Sequence, residues 1–452
     1  MKIIIAGNGK VGKTLAGRLS AENYDVTLID SDADVLNAGV EQLDVMAIKG
    51  NCASMETLRD ADIENTDLLI ATTGSDELNL LCCMTAHGIN PKLHTIARIR
   101  TPEYIEQTYK MRDVFGLSLS LNPELQAAQE IERLLKYPGF LKRDSFAKGQ
   151  VEIVELKIEE TSKLANVKLS DIYGIVKCKI LVCSVLRDGE AITPDGNFVL
   201  KSGDSIFVTA PSYNLSVLLK NLGLVTHKIR RVTLVGGGRV SYYLADSLTQ
   251  NGIDVTIIEK DRERCEELAS KLPKAAIICA DASDPDTVEG TGFDDCDAIA
   301  TLTGIDELNI IVSLYANSLG IPKVITKLGR EDEKKIISSL PLGSIISPRK
   351  LCCNNIVRYV RAMKNQTGAA VSIHKIADGQ AEALEFCVTS DTMHCSEPLK
   401  NIKLKKNILI VGITRGASTE IPNGDSYFCE GDTIVVVSGK NTVIMQLNDI
   451  FE

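Results

Sequence analysis

Short apolar runs alternate with longer amphipathic stretches from the first residues onward. Runs of strand character cover 2–6, 25–29, 44–48, 67–71 and 93–97, and helical segments begin at or just after Gly9, Ala33, Met55 and Asp76. Such alternation builds a parallel sheet with helices on both faces. A longer helix is entered through Asn122-Pro123-Glu124, since proline in a first turn suits its fixed φ and missing donor. Its Leu125, Ala128, Ile131, Leu134 and Leu135 share one face. That face fits a helix packed between subdomains or subunits, or equally ordinary packing within one subdomain.

The pattern then recurs. Ile4-Ile5-Ala6-Gly7-Asn8-Gly9-Lys10-Val11-Gly12 is answered by Leu234-Val235-Gly236-Gly237-Gly238-Arg239-Val240-Ser241, 229 residues later. Asp30 and Glu259 keep that offset, and Asp67–Asn79 matches Asp297–Asn309 one insertion later. The proline-led helix returns as Ser347-Pro348-Arg349. Between and after these halves stand two shorter stretches of apolar runs cut by Gly, Pro, Asp and Asn. They are Val182–Asp204 and Ile410–Asp432, 228 residues apart. Runs of this kind read as hairpins in a small sheet. The expected fold is α/β, with two Rossmann-like parallel-sheet N modules, each followed by a small α+β C module. The boundaries expected are 1–140, 141–225, 229–365 and 369–452.

Composition narrows the chemistry. A chain of 452 residues with 44% hydrophobic and 24% charged residues has room for several globular domains. Net charge is −10, aromatics make up 4% and tryptophan is absent, so a nucleic-acid partner is not expected. Met1-Lys2 leads directly into Ile3-Ile4-Ile5, without the apolar core and cleavage site of a secretion signal. No apolar stretch approaches the roughly 20 residues of a spanning helix. The 13 cysteines include no C-x-x-C pair, and reduced thiols acting as small buried hydrophobes are expected, with no metal site; a zinc or redox site is the alternative.

The candidate chemistry lies in the repeated turn. Gly7-x-Gly9-x-x-Gly12 follows a strand and opens a helix. The first glycine permits the tight turn, the second lets backbone approach a pyrophosphate, and the third lets the helix lie close on the strand. Free amides from Asn8 through Lys10, Val11 and Gly12 then face phosphate, aided by the helix dipole. Asp30 stands where a ribose-binding carboxylate is expected and would repel a 2′-phosphate, favouring NAD(H) over NADP(H). The alternative is a solvated cap on the next helix. In the second copy Gly236, Gly237, Gly238 and Val240 keep the turn, while Ser241 replaces the third glycine and Glu259 keeps the carboxylate. Arg239, where the first copy has Lys10, suits exposed terminal phosphates, so ATP or ADP fits as well as a second NAD(H). An empty, degenerate copy is the alternative there.

Open α/β sheets bind ligands beyond the carboxyl ends of their strands. By that rule Asn51 and Cys52, with Ala280 and Asp281 in the second half, flank the adenine. Thr72, Thr73 and Gly74, and then Thr303 and Gly304, follow the fourth strand of each half. Arg98 and Lys327 end the fifth. The repeated Asp76-Glu77-x-Asn79 and Asp306-Glu307-x-Asn309 signatures read equally as helix caps.

Taken together, the paired glycine turns, the A-T/L-T-x-x-D-E-x-N signatures, the I-A-R end of the fifth strand and the P-x-G…G-D segments resemble the TrkA family. Its members are peripheral nucleotide-binding components of Trk potassium uptake systems, built from RCK/KTN modules. The likeness covers essentially the whole chain. It implies a cytoplasmic protein at the inner face of the membrane, a homo-oligomer, that gates a TrkH-like potassium-transporting subunit without catalytic turnover. It also implies C modules that bind a further effector or hold the oligomer together. Ser241, and Asn51-Cys52 where the family often has Asp-Ala, depart from the pattern.

The rival reading is an NAD-dependent oxidoreductase. That chemistry needs an acid–base residue presented to the nicotinamide. The five histidines, His87, His94, His227, His374 and His394, are scattered, and none recurs in both copies.

Overall fold

The computed structural model describes residues 1–40, 43–136, 138–224, 229–284, 293–329, 340–364, 370–439, 444 and 446–452. The expected boundaries at 225, 365 and 369, and His227, lie outside the described residues.

The first half opens with β1 (Lys2–Ala6), α1 (Lys10–Ala21), β2 (Asp25–Asp30), α2 (Ala33–Val40) and β3 (Met46–Lys49). It continues with α3 (Met55–Asp60), β4 (Leu68–Ala71), α4 (Asp76–Ile89), β5 (His94–Arg98), α5 (Pro102–Lys110) and β6 (Leu119–Leu121). The six strands form one parallel sheet in the order β3-β2-β1-β4-β5-β6. Strand order therefore reverses between β1 and β4, and the crevice at such a switch point is where a doubly wound sheet takes its ligand. β1 reads Lys-Ile-Ile-Ile-Ala because both sheet faces are covered, and Ile3, Ile4, Ile5 and Ala6 are all buried. One core, including Ile4, Ile29, Leu58, Leu69, Cys82 and Cys83, lies beneath α3 and α4.

The helix expected after Asn122 is α6 (Pro123–Lys136), with Asn122 Oδ1 accepting the Leu125 amide at 2.8 Å. Next come β7 (Lys142–Phe146), β8 (Val151–Lys157), α7 (Ile172–Val176), β9 (Leu181–Arg187), β10 (Glu190–Ile192), β11 (Ser205–Ala210) and α8 (Ser212–Leu222). Their strands make an antiparallel sheet in the order β10-β9-β11-β8-β7.

The second half repeats this plan with β12 (Arg231–Val235), α9 (Arg239–Gln250), β13 (Asp254–Glu259), α10 (Arg262–Lys271) and β14 (Ala276–Cys279). It goes on through β15 (Ala298–Thr301), α11 (Asp306–Ser318), β16 (Lys323–Lys327), β17 (Ser344–Ile346) and α12 (Pro348–Lys364). The parallel order is β14-β13-β12-β15-β16-β17. A last antiparallel sheet, β18-β19-β22-β20-β21, uses β18 (Ser372–Ile376), β19 (Ala381–Cys387), β20 (Ile408–Arg415), β21 (Ser418–Glu420) and β22 (Thr433–Ser438).

Two compact units result, and neither coincides with one sequence half. One holds Met1–Gln129 together with Ser347–Val357, and the other holds Glu130–Ile346 with Arg358–Glu452. Within the first unit, the start of α12 packs on the first glycine-turn module, where Arg18 donates to Asn354 Oδ1 at 2.6 Å. Within the second, α6 meets α9, and Ser247 donates to Glu132 Oε2 at 2.8 Å. Ile131, Leu134 and Leu135 of the apolar face expected on α6 are buried there.

In the second unit the two antiparallel sheets share one apolar layer. Phe146, Ile153 and Phe207 meet Ile376, Val411 and Val437. Gly412 is required here, because a Cβ would stand 2.9 Å from the Val151 side chain. Each sheet also carries the same internal pair. Arg187 clasps Asp204 with two bonds of 2.8 Å, and Arg415 clasps Asp432 at 2.7–3.2 Å.

Candidate functional site

The first glycine turn joins β1 to α1. Gly7 has φ of +98°, and a Cβ there would lie 2.9 Å from Thr73 backbone atoms. Gly9 is the opposite case. It faces open space, with nothing within 4 Å of the Cβ it lacks, and it heads α1 without any side-chain cap. First-turn N–H groups without side-chain partners are an anion site in waiting, strengthened by the helix dipole. Gly12 closes the arrangement, since a Cβ there would sit 1.9 Å from the Gly7 carbonyl oxygen. Three glycines thus do three different jobs. Val11 keeps its side chain buried, so only its backbone faces the turn.

Asp30 ends β2 beside this turn. Its Oδ2 accepts the Asn8 amide at 2.7 Å and its Oδ1 the Asp32 amide at 3.1 Å. The cap of α2 is Asp32, whose Oδ1 takes the amides of Asp34 and Val35 at 2.9 and 3.3 Å. Asp30 is therefore held at the glycine turn rather than spent on capping. Asn8 donates its side-chain N–H to the Val35 carbonyl at 2.7 Å, while its buried Oδ1 has no partner among the described residues.

The loop after β4 is fixed from within. Thr72 is buried and its hydroxyl donates to the Gly7 carbonyl at 3.2 Å, and the Thr73 hydroxyl donates to Asn79 Oδ1 at 2.8 Å. Those hydroxyls are therefore committed internally. Gly74 stands clear, with nothing within 4 Å of its Cβ position. Arg98 reaches back from the end of β5 to donate to the Thr73 carbonyl at 2.5 Å. Burial pushes its guanidinium below the ordinary value, and Arg100 adds to the effect. Asn51 organises its own turn by accepting the Ala53 amide at 3.0 Å. The Cys52 side chain points into the core beside Cys82, leaving its backbone on the sheet edge.

The second half reproduces this geometry with different side chains. Gly236 has φ of +99°, and its absent Cβ would meet Thr303 at 2.9 Å. Glu259 Oε2 accepts the Gly237 amide at 2.6 Å, as Asp30 accepts that of Asn8, and Asp261 takes over the capping of α10. Ser241, in Gly12's place, is fully buried and donates its hydroxyl to the Gly236 carbonyl. Gly238 faces open space. Arg239 is exposed at the first position of α9 and Val240 is buried. Thr303 and Gly304 repeat the Thr73–Gly74 arrangement, and Lys327 Nζ donates to the Leu302 carbonyl at 3.0 Å. Asp281 is exposed and takes both Ser283 donors, which hold its carboxyl below the usual range, and Ala280 packs against the core of its own module.

Three sets of residues matter that the sequence reading left aside. Asn79 is fully buried and ties the Thr73 amide and hydroxyl to the Arg98 carbonyl, with bonds of 2.8 Å. Asn309 does the same between Thr303 and the Lys327 carbonyl. Asp76 caps no helix. Ser75 caps α4, and Asp76 Oδ2 binds the Arg100 and Thr101 amides at 2.9 and 2.8 Å. Asp306 holds the Gly329 amide likewise. The clue was in the repeat, since Asp and Asn recur at the same places in both halves. The third is Arg264, which donates to the Gly237 carbonyl at 2.7 Å and has Val35 as its counterpart in the first half. Nothing in the repeat pointed to it.

Each half therefore presents an open glycine turn, a helix start with free amides and a carboxylate fixed at the neighbouring strand end. That donor set fits the pyrophosphate and ribose of an adenine nucleotide. Together with the duplicated parallel and antiparallel sheets, it defines a protein of tandem Rossmann-type modules, each paired with a small antiparallel module.

Comparison with known proteins agrees. The TrkA-N domain family matches residues 3–115 and 232–348, and the TrkA-C domain family matches 153–223. The chain belongs to the TrkA family. It is 32% identical over 451 residues to the Trk system potassium uptake protein TrkA homolog of Archaeoglobus fulgidus, covering 100% of both chains. It is 30% identical to the Trk system potassium uptake protein TrkA of Haemophilus influenzae, covering 100% of this chain and 99% of the other. Among solved structures, the GsuK RCK domain aligns with a TM-score of 0.63 at 15% identity, over 97% of this chain and 92% of that one. The GsuK channel bound to NAD aligns at 0.62 and 16% identity, over 97% and 76%. At these identities the structural likeness speaks to the fold.

Proposed function

We propose that this chain is a nucleotide-binding regulatory subunit that controls a membrane potassium uptake transporter. The observation that carries the reading is the pair of open glycine turns, each with its strand-end carboxylate, in a chain whose full-length relatives are Trk system potassium uptake proteins. In the first half, the amides of Gly9, Lys10, Val11 and Gly12 hold the pyrophosphate of NAD(H). Asp30 exchanges its bond with the Asn8 amide for the ribose diol. Gly74 and the backbone of Asn51 and Cys52 border the adenine side.

In the second half, Gly236 to Val240, Glu259, Ala280, Asp281 and Gly304 form the matching set. Arg239 and Arg264 bring forked cations to the same turn, which suits ADP or ATP as well as a second NAD(H). Arg98 and Lys327 act by positioning the loop after the fourth strand of each half, through its Thr73 and Leu302 carbonyls. The nucleotide supplies binding energy and charge, and the chain spends that energy on conformation. A ligand shifts such an equilibrium only through different affinities for the two states.

We take the modules as 1–140, 141–225, 229–365 and 369–452, and the working form as a homo-oligomer docked at the inner face of the membrane on a TrkH-like subunit. Among the described residues, no helix is long and apolar enough to cross a membrane. The test is potassium uptake in cells deleted for this gene and complemented with the wild-type chain or with Asp30→Ala combined with Glu259→Ala. Restored uptake that responds to nucleotide status in the first strain only is expected. Equal uptake by both strains would overturn the reading.

A further inference from the structure

The second half carries a pair of thiols that the first half lacks. Cys265 lies in the first turns of α10 and is buried, and Cys279 is the last residue of β14 and is exposed. Their counterparts in the first half are Leu36 and Lys49. In the parallel register Cys279 is the partner of Glu259, as Lys49 is the partner of Asp30.

The Glu259 carbonyl accepts the Ala280 amide at 2.9 Å and the Cys265 thiol at 3.2 Å. The Cys265 sulphur therefore sits against the Cys279–Ala280 peptide. The Cys279 sulphur lies 4.0 Å from the Lys260 carbonyl, the next peptide along. The two thiols thus bracket the end of β13, the strand whose last side chain holds the Gly237 amide.

We propose that Cys265 and Cys279 are an oxidisable dithiol, closed to a disulfide by a hydroperoxide and reopened by a small dithiol reductant. Exposed Cys279 reacts first. Its sulphur attacks the peroxide O–O bond and becomes a sulfenic acid, while the departing oxygen leaves as water or alcohol with the thiol proton. The Cys265 sulphur then attacks the Cys279 sulphur, the S–O bond breaks, and hydroxide leaves with the Cys265 proton as water. The peroxide gains two electrons and the thiol pair loses two.

Burial and the neighbouring Cys279 push the Cys265 thiol up to about 11, so it is a poor first nucleophile. It suits the resolving role, where proximity replaces acidity. The first half has no such device near its turn. Its close pair, Cys52 and Cys82, is buried on both sides.

The disulfide ties the start of α10 to the end of β14 and removes both S–H donors from the Glu259–Lys260 backbone. Its regulatory consequence rests on the reading of the second half as a nucleotide site, whereas its formation does not. Oxidation and nucleotide binding at the second half are then reciprocally coupled, and a change of at least about fivefold in affinity is expected, the low end for coupled sites.

The full chain is treated with hydrogen peroxide, alkylated, and mapped by mass spectrometry without reduction. A cross-link between the Cys265 and Cys279 peptides, reversed by dithiothreitol and lost in Cys279→Ser, is expected. In Cys265→Ala, Cys279 should instead accumulate as a dimedone-reactive sulfenic acid. First oxidation at exposed Cys387 or Cys395 with Cys279 untouched, or over-oxidation of Cys279 without a cross-link, would overturn the proposal. Titration of reduced and oxidised protein with ADP separates the two claims. A cross-link with unaltered ADP binding refutes the coupling. A cross-link in a chain whose second half binds no nucleotide in either form refutes the nucleotide reading and leaves the dithiol standing.

Discussion

Gly12→Ala offers the sharpest test of why the first turn needs its third glycine. The new Cβ would lie 1.9 Å from the Gly7 carbonyl oxygen and 3.0 Å from its carbon, whereas real Cβ atoms essentially never come within 3.0 Å. More than an ångström of backbone movement is needed, between a helix and a turn that are both anchored. Gly7 is pinned against Thr73, and its amide bonds the Ile29 carbonyl at 2.8 Å. Overpacking usually costs 1–3 kcal/mol, and a backbone-to-backbone clash falls at the upper end, about 3 kcal/mol. For a unit of this size that corresponds to a fall of roughly 6–12 °C in the melting transition of the first unit. Scanning calorimetry of the full chain reads that fall, and titration with NADH reads the accompanying loss of binding at the first turn. The control is Ser241→Ala in the second half, which keeps the Cβ and loses one buried hydroxyl bond, at about 1 kcal/mol. A Gly12→Ala protein that melts within a degree of wild type and still binds NADH would refute the close-packing argument.

Asp30→Ala is expected to weaken NAD(H) binding by about 1–3 kcal/mol, the scale of a lost charge-assisted bond, with calorimetry as the measure and unchanged affinity as the contrary result. Arg239→Gln should weaken ADP or ATP binding while leaving NAD(H) at the first turn nearly untouched, and both variants abolishing the same binding step would contradict two separate sites. Asn79→Ala removes three hydrogen bonds at a fully buried position. It should lower the stability of the first unit by about 2–4 kcal/mol at roughly 1 kcal/mol per bond, seen in denaturant unfolding. In the antiparallel modules burial opposes ionisation of Asp204 and Asp432, but paired Arg187 and Arg415 outweigh it and hold both carboxyls below 3.8. Their folded values are depressed, so the stability they add is present above that value and lost as pH falls through and below it. Asp204→Asn should therefore flatten the acid limb of the stability profile.

Sequence alone revealed the parallel sheets because their strands are buried on both faces, so the apolar runs at 2–6 and 67–71 stood out without any ambiguity of period. The glycine turns were equally legible, since a positive φ at Gly7 and a 1.9 Å approach at Gly12 leave glycine as the fitting residue. The short edge strand β6 was missed. Three residues, with only Leu121 fully buried, carry too little pattern. The apolar face of α6 was visible, but not that the helix divides at Gln129 between two compact units while the start of α12 joins the first. Such an exchange depends on pairings such as Arg18 with Asn354, 336 residues apart, which no local pattern encodes. Thr72 and Thr73 read as ligand donors because they follow the fourth strand at the carboxyl edge of the sheet, where open α/β folds take ligands. Asn79 and the Gly7 carbonyl claim them instead. The cysteines read as small hydrophobes, and nine of the thirteen are buried. The close approach of Cys265 to Cys279 depends on strand register, which spacing does not reveal.

Two nucleotide turns of different preference on one chain are what the proposed function requires. Calorimetric titration of the purified full chain with NAD⁺, NADH, ADP and ATP, fitted for stoichiometry per chain, tests this most directly. The expected result is one NAD(H)-preferring site that survives Arg239→Gln and a second site, sensitive to Arg239, that accepts ADP or ATP. Absence of binding by all four ligands, or a single site per chain lost equally in Asp30→Ala and Arg239→Gln, would contradict it.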